Sequence, residues 1–279
     1  MKVAIVGVGL IGGSLALALK DRGIADKLIG VDESREHQSK ALSLQLVDEI
    51  KKLDEAVDAA DLIVLTIPVH SIIDLLPRIM DRVKSQVVMD AGSTKETILQ
   101  SISNHPKRGR FVATHPMWGT EYSGPEAAVH GAFVDKATVI CNREESDDDA
   151  LALVEDLYRR LNMHLIYMNA HDHDVHVAYI SHISHITSFA LANTVLEKER
   201  EEDAIFELAS GGFESTVRLA KSNPITWASI FMQNRENVLD VLNEHISQLR
   251  KFKACLEKEN YEYLEELMMN ANKIKKIIK

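Results

Sequence analysis

The chain has 279 residues, enough for one large domain or two ordinary ones with a sizeable core. Hydrophobic residues make up 46% and charged residues 27%, an ordinary balance for a globular protein, and the net charge of −10 argues against a broad nucleic-acid surface. The two cysteines, Cys141 and Cys255, match no zinc or disulfide spacing, and no apolar run is long enough to span a bilayer, so a cytoplasmic protein in a reducing compartment is expected.

In the first 168 residues short apolar runs alternate with amphipathic segments. The runs are 2–7, 27–32, 61–68, 86–92, 111–116, 137–142 and 164–168. Most are Val- and Ile-rich and continuously apolar, as strands covered on both faces should be. Helical patterns fall near 11–22, 34–44, 70–82, 95–104 and 147–161. This alternation predicts an α/β fold with a mainly parallel sheet and helices on both sides. From about 170 the pattern becomes all-helical, and Asn223 and Pro224 read as the cap and first residue of a helix. The long helices of this half carry wide apolar faces, suited to burial in a subunit partner.

The segment "VAIVGVGLIGGSLALAL" sets Gly7, Gly9 and Gly12 at GxGxxG spacing, directly after a strand and opening a helix. Gly7 permits the tight turn, Gly9 lets backbone approach a pyrophosphate, and Gly12 allows close helix–strand packing. Leu10 and Ile11 begin the helix, whose N-terminus faces phosphate charge. The same glycines argue against reading the apolar N-terminus as a signal peptide. Asp32 ends the second strand, 20 residues after Gly12, where a carboxylate accepts from a ribose and repels a 2′-phosphate. NAD is therefore expected over NADP, with Arg35 the residue that could oppose this. Pro68 in "TIPVH" and Ser93 in "DAGSTK" follow later strands at the ligand-binding edge of such sheets. Ser93 or Thr94 also suits a helix N-cap.

His115 in "THPMWGTEYSG" falls near the end of the fifth apolar run and is expected just beyond the strand that the run forms. A histidine there suits a base taking a hydroxyl proton, or a loop histidine with a structural hydrogen bond. In "HDHDVHVAYISHISHIT" the metal-like run from His171 to His176 is read as structural, and no metal is expected. His182 and His185 share a helix face with Ala178 and Phe189, which suits packing toward the cofactor half. His185 reads as a ligand-side residue or a core histidine. Arg218, beyond a glycine turn, suits capture of a carboxylate or a surface salt bridge.

Taken together, "GVGLIGGSLA", "DAGSTK", "THPMWGTEYSG", "SHISHITSFAL", "GGFESTVRLAKSNPITW" and "NRENVL" resemble the prephenate dehydrogenase (TyrA) family, in order over nearly the whole chain. The resemblance implies a Rossmann-type NAD-binding domain over 1–168. It also implies a helical substrate-binding and dimerisation domain over 169–279, and a homodimer. The implied reaction is oxidative decarboxylation of prephenate, a dianion, to 4-hydroxyphenylpyruvate in tyrosine biosynthesis. By the family pattern His115 accepts from the ring hydroxyl and Ser93 hydrogen-bonds near it and near the nicotinamide. His185 and Arg218 bind substrate, Thr120 and Glu121 line the entrance, and Trp227 reaches a neighbouring subunit's site. Trp118, Glu214 and Ser215 depart from the pattern. No regulatory ACT domain is expected, and tyrosine feedback is not assumed. Arogenate dehydrogenase, a β-hydroxyacid dehydrogenase and a non-catalytic NAD-binding regulator are the competing readings. Of these the second would need a catalytic lysine near Lys221 or Asn223.

Overall fold

The computed structural model describes residues 1–199 and 206–277. The first half runs β1 (Lys2–Val6), α1 (Leu10–Asp21), β2 (Lys27–Val31), α2 (Arg35–Ser43), β3 (Glu49–Ile50), α3 (Leu53–Ala59), β4 (Leu62–Leu65), α4 (Val69–Arg82), β5 (Val87–Asp90) and α5 (Glu96–Ser101). It continues through β6 (Phe111–Pro116), β7 (Ala137–Cys141), α6 (Asp148–Arg160) and β8 (His164–Met168). These strands form one eight-stranded sheet in the order β3-β2-β1-β4-β5-β6-β7-β8. All pairings are parallel except β6–β7.

The period of two along each strand feeds two cores. Val3 and Ile5 of β1 join the layer formed with Leu15 and Leu19 of α1 and with Val154 and Leu157 of α6. Ala4 and Val6 point the other way, into a layer with Ile72, Leu76 and Ile79 of α4 and Ile98 of α5. With both faces covered the central strands must be apolar throughout, as read above. Truncating a residue such as Ile5 to Ala would cost about 2–5 kcal/mol. The apolar run 164–168 differs. β8 is the edge strand of the sheet, with Ile166 and Tyr167 exposed and the Tyr167 hydroxyl donating to Glu155 of α6 at 2.8 Å. β3 and α3 were too short to be read in advance, being two and seven residues long.

Every described element after β8 is helical. α7 (Ala170–Val177) runs through a π turn, Ala178–His182, into α8 (Ile183–Glu199). Across the wide turn Ala178 and His182 are buried while Tyr179 and Ile180 between them are exposed. α9 (Gly211–Val217), α10 (Pro224–Gln233), α11 (Arg235–Glu257) and α12 (Tyr261–Ala271) follow. Asn223 caps α10 by accepting from the N–H groups of Ile225 and Thr226, with Pro224 at the first position.

Candidate active site

The carboxyl ends of β1, β4, β5 and β6 open into a cleft of about 1470 Å³ that extends to α8 and α10. Among the residues read from the sequence, Gly7, Gly9, Leu10, Ile11, Asp32, Pro68 and Ser93 line it. So do His115, Thr120, Glu121, His185, Arg218 and Trp227. Gly12 does not, because it lies under the turn. A Cβ there would fall 2.0 Å from Gly7 O and 2.9 Å from Ile5 Cγ2.

The glycine turn fits a dinucleotide on the evidence of its own geometry. Gly7 has φ +97°, and a Cβ on it would meet Ile67 Cγ2 at 2.8 Å. A Cβ on Gly9 meets nothing within 4 Å, so the space a pyrophosphate needs is open there. Gly9 is the N-cap of α1 and offers no side-chain cap, which leaves the first backbone N–H groups turned to the cleft. Thr66 Oγ1, 2.7 Å from Gly7 O, ties the turn to the end of β4. Asp32 accepts from the N–H groups of Val8 (3.0 Å) and Ser34 (2.9 Å), which fixes its carboxylate at the end of β2. The basic side chain beside it is His37 at 3.5 Å. Arg35 is not among the lining residues.

His115 lies within β6 rather than beyond it. The antiparallel partner β7 carries the ladder to Pro116, with His115 opposite Val139. His115 Nδ1 sits 2.9 Å from His173 Nε2, so Nε2 is the ring nitrogen left to the cleft. Burial, then the neighbouring His173, Lys95 and His182, hold the His115 imidazole well below its ordinary value and thus neutral. Lys95 and Asp90 form a fully buried ion pair, and Lys95 Nζ also donates to Thr114 O at 2.8 Å. That pair pins the backbone next to His115, and removing one partner would strand the other charge in the core.

Ser93 lines the cleft but caps no helix, and neither does Thr94. The N-terminus of α5 is capped from 78 or more residues away. Asp174 Oδ1 accepts from Lys95 N–H (2.8 Å) and Oδ2 from Glu96 N–H (2.9 Å). A carboxylate outcompetes a hydroxyl for two helix-end N–H groups.

On the helical side His182 is buried with Nδ1 accepting from Asn234 (3.2 Å), and burial pushes its imidazole down to about 4. His185 donates from Nδ1 to Ser181 O (3.0 Å), and burial lowers it as well. Its ring stacks on Trp227, centroids 3.3 Å apart at 22°. Trp227 thus borders the cleft of its own chain. Arg218 Nη1 donates to Glu121 Oε2 at 3.0 Å, joining the two at the mouth. Trp118 is half-buried, packed edge-on against Phe133 with centroids 5.5 Å apart, and also borders the cleft. Glu214 and Ser215 are exposed and outside the lining, so those departures do not touch the cleft. His173, Asp174, Lys95 and Asn234 are the residues of this region that sequence reasoning passed over. The adjacency of His173 and Asp174 in the "HDHDVH" run was the one available signal.

A nucleotide cradle running into a chamber that ends on a neutral imidazole and a paired arginine defines an NAD-dependent oxidoreductase. The family model "Prephenate dehydrogenase, nucleotide-binding domain" matches residues 15–167, and "Prephenate dehydrogenase, dimerization domain" matches residues 169–270. The chain belongs to the prephenate dehydrogenase family. It is 29% identical over 266 residues to a prephenate dehydrogenase of Bacillus subtilis, covering 94% of this chain and 72% of that protein. The crystal structure of prephenate dehydrogenase from A. aeolicus in complex with hydroxyphenyl propionate and NAD+ is similar at TM-score 0.88 and 30% identity, covering 100% of this chain and 98% of that one. That of Synechocystis arogenate dehydrogenase is similar at TM-score 0.77 and 28% identity, covering 99% of each.

Proposed function

We propose that the chain converts prephenate to 4-hydroxyphenylpyruvate and CO2 in tyrosine biosynthesis. The observation that carries this reading is that His115 borders the same cleft as the glycine cradle and Arg218. When bound, NAD+ supplies the hydride acceptor. The uncoupled Nε2 of neutral His115 accepts the proton of the ring hydroxyl as the carbonyl forms. Ser93, which lines the same cleft, orients the hydroxyl. Arg218 takes a substrate carboxylate, and His185, flattened against Trp227, lines the ring's other side. Loss of the carboxylate aromatises the ring, so the protein's main contribution is alignment of the hydroxyl-bearing carbon. Residues 1–168 carry the nucleotide and residues 169–279 the substrate and the dimer contact. The exposed Ile180, Met232, Leu249, Leu256 and Met269 of the helical half suit burial against a second copy.

Arogenate is the second reading. It carries an ammonium where prephenate has a keto group, and Glu121 places a carboxylate at the mouth. Steady-state NADH formation with the two substrates side by side tests the choice. Higher kcat/KM for prephenate is expected, and faster turnover of arogenate overturns it.

A further inference from the structure

Behind His115 the helical half supplies a chain of three acceptors and donors that ends on a backbone clamp. His115 Nδ1 lies 2.9 Å from His173 Nε2, and His173 Nδ1 lies 2.7 Å from Asp174 Oδ1. The Asp174 carboxylate also accepts the Lys95 and Glu96 N–H groups at the start of α5. Its own carbonyl accepts from Asn234 Nδ2 at 2.7 Å. His173 and Asp174 are buried at 1% and 2% exposure, so neither can exchange these partners for water.

The valences allow one solution. A carboxylate that already accepts two backbone N–H groups, from Lys95 and Glu96, is ionised and has no proton to give. His173 Nδ1 therefore carries the hydrogen, and in the neutral ring its Nε2 is a bare lone pair. The two rings meet nitrogen to nitrogen, so His115 Nδ1 must donate. His115 Nε2 is then unprotonated and faces the cleft.

We propose that Asp174 and His173 are positioning residues that fix the tautomer and ring orientation of His115, keeping Nε2 ready to accept the substrate proton. Burial keeps His173 neutral, as this scheme requires, although Asp174 opposes that effect. The charged groups near the pair are the Lys95–Asp90 ion pair beneath β6 and His182 on the π turn. None of them accepts from His115 Nδ1. Among the described residues the ring therefore has no other hydrogen-bond partner at Nδ1 to fix its orientation if His173 is lost.

The inference rests on the reading of His115 as the base, and the test separates the two. His173→Leu keeps the volume and the Asp174 clamp but removes the acceptor, while His173→Gln restores an amide oxygen that can accept from Nδ1. The Leu variant is expected to lose kcat by about 10²-fold, below the ~10⁴-fold known for a wrongly tautomerised triad histidine. The KM for prephenate and the Kd for NAD should stay within about threefold, and the Gln variant should recover at least about tenfold of the loss. Nitrogen-15 NMR of labelled histidine supplies a readout independent of turnover. His115 Nε2 should show a pyridine-like shift in the wild type that is lost in the Leu variant. Wild-type kcat in His173→Leu, equal losses in the Leu and Gln variants, or an unchanged Nε2 shift would each overturn the proposal. If His115→Asn is itself fully active, it is the role of His115 as base that fails, whereas the NMR result still reports on the tautomer.

Discussion

Arg218 and Glu121, 97 residues apart in the chain, meet across 3.0 Å at the mouth of the cleft. Glu121 is the more enclosed of the two, with 16% of its side chain exposed against 51% for Arg218. A backbone hydrogen bond at Glu121 itself, and after it the Arg218 guanidinium, hold the Glu121 carboxyl below the usual range. A dianionic substrate must therefore compete with Glu121 for the guanidinium. Arg218→Ala is expected to raise the prephenate KM by roughly 10–100-fold, the loss of a charge-assisted contact worth about 1.5–3 kcal/mol. Glu121→Gln, which frees Arg218, should lower it by a few-fold. An unchanged KM in both variants would leave the pair as a surface salt bridge.

His115→Asn should reduce kcat by at least about 10²-fold, since a positioned base typically contributes ~10²–10⁴-fold. NAD binding, which depends on the cradle and Asp32, should persist and can be followed by calorimetry. Turnover equal to wild type would remove His115 from the proton transfer.

The pH dependence of activity has a stated sign. His115 titrates well below its ordinary value because it is buried among His173, Lys95 and His182. The base stays neutral as pH falls through 6.5, and the acid limb of kcat/KM is expected below that value. A limb centred at or above pH 7 contradicts it.

Stability should respond in the same range. His182 titrates at about 4 in the native state because burial disfavours its charged form. Between pH 6.5 and 4 the unfolded chain binds a proton that the native state refuses. Stability is thus complete above 6.5 and declines as pH falls toward 4, by roughly 3 kcal/mol from this residue. Urea unfolding at pH 7 and pH 5 measures the slope, and His182→Gln should flatten it.

Trp118 packs on Phe133 below the loop that carries Thr120 and Glu121. Trp118→Phe should be close to wild type. Trp118→Ala should raise the prephenate KM by loosening that loop and should lower Tm. If the KM drops instead, the indole narrows the cleft rather than supporting its rim.

Much of the scaffold could be read because its residues obey local rules. Val3 to Val6 feed two cores by simple alternation, and the Asn223–Pro224 cap is made entirely within consecutive residues. The glycine cradle was legible for the same reason: tight turns and close packing exclude side chains. The misread parts are those where the partner comes from far along the chain. Ser93 looked like the cap of α5 because nothing nearby reveals that Asp174 does the work. His173 sat in a run of alternating His and Asp whose meaning depends on which side chains face inward, and that is set by docking of the two halves.

That docking has a further consequence. The clamp between Asp174 and α5 is a fastener across the seam of the molecule, and the proton-accepting nitrogen is aligned by the same carboxylate. Any change that slides the helical half by an ångström, even at a position remote from substrate, releases the fastener and the base together. Chemistry in this enzyme is in effect a gauge of how well its two halves are seated.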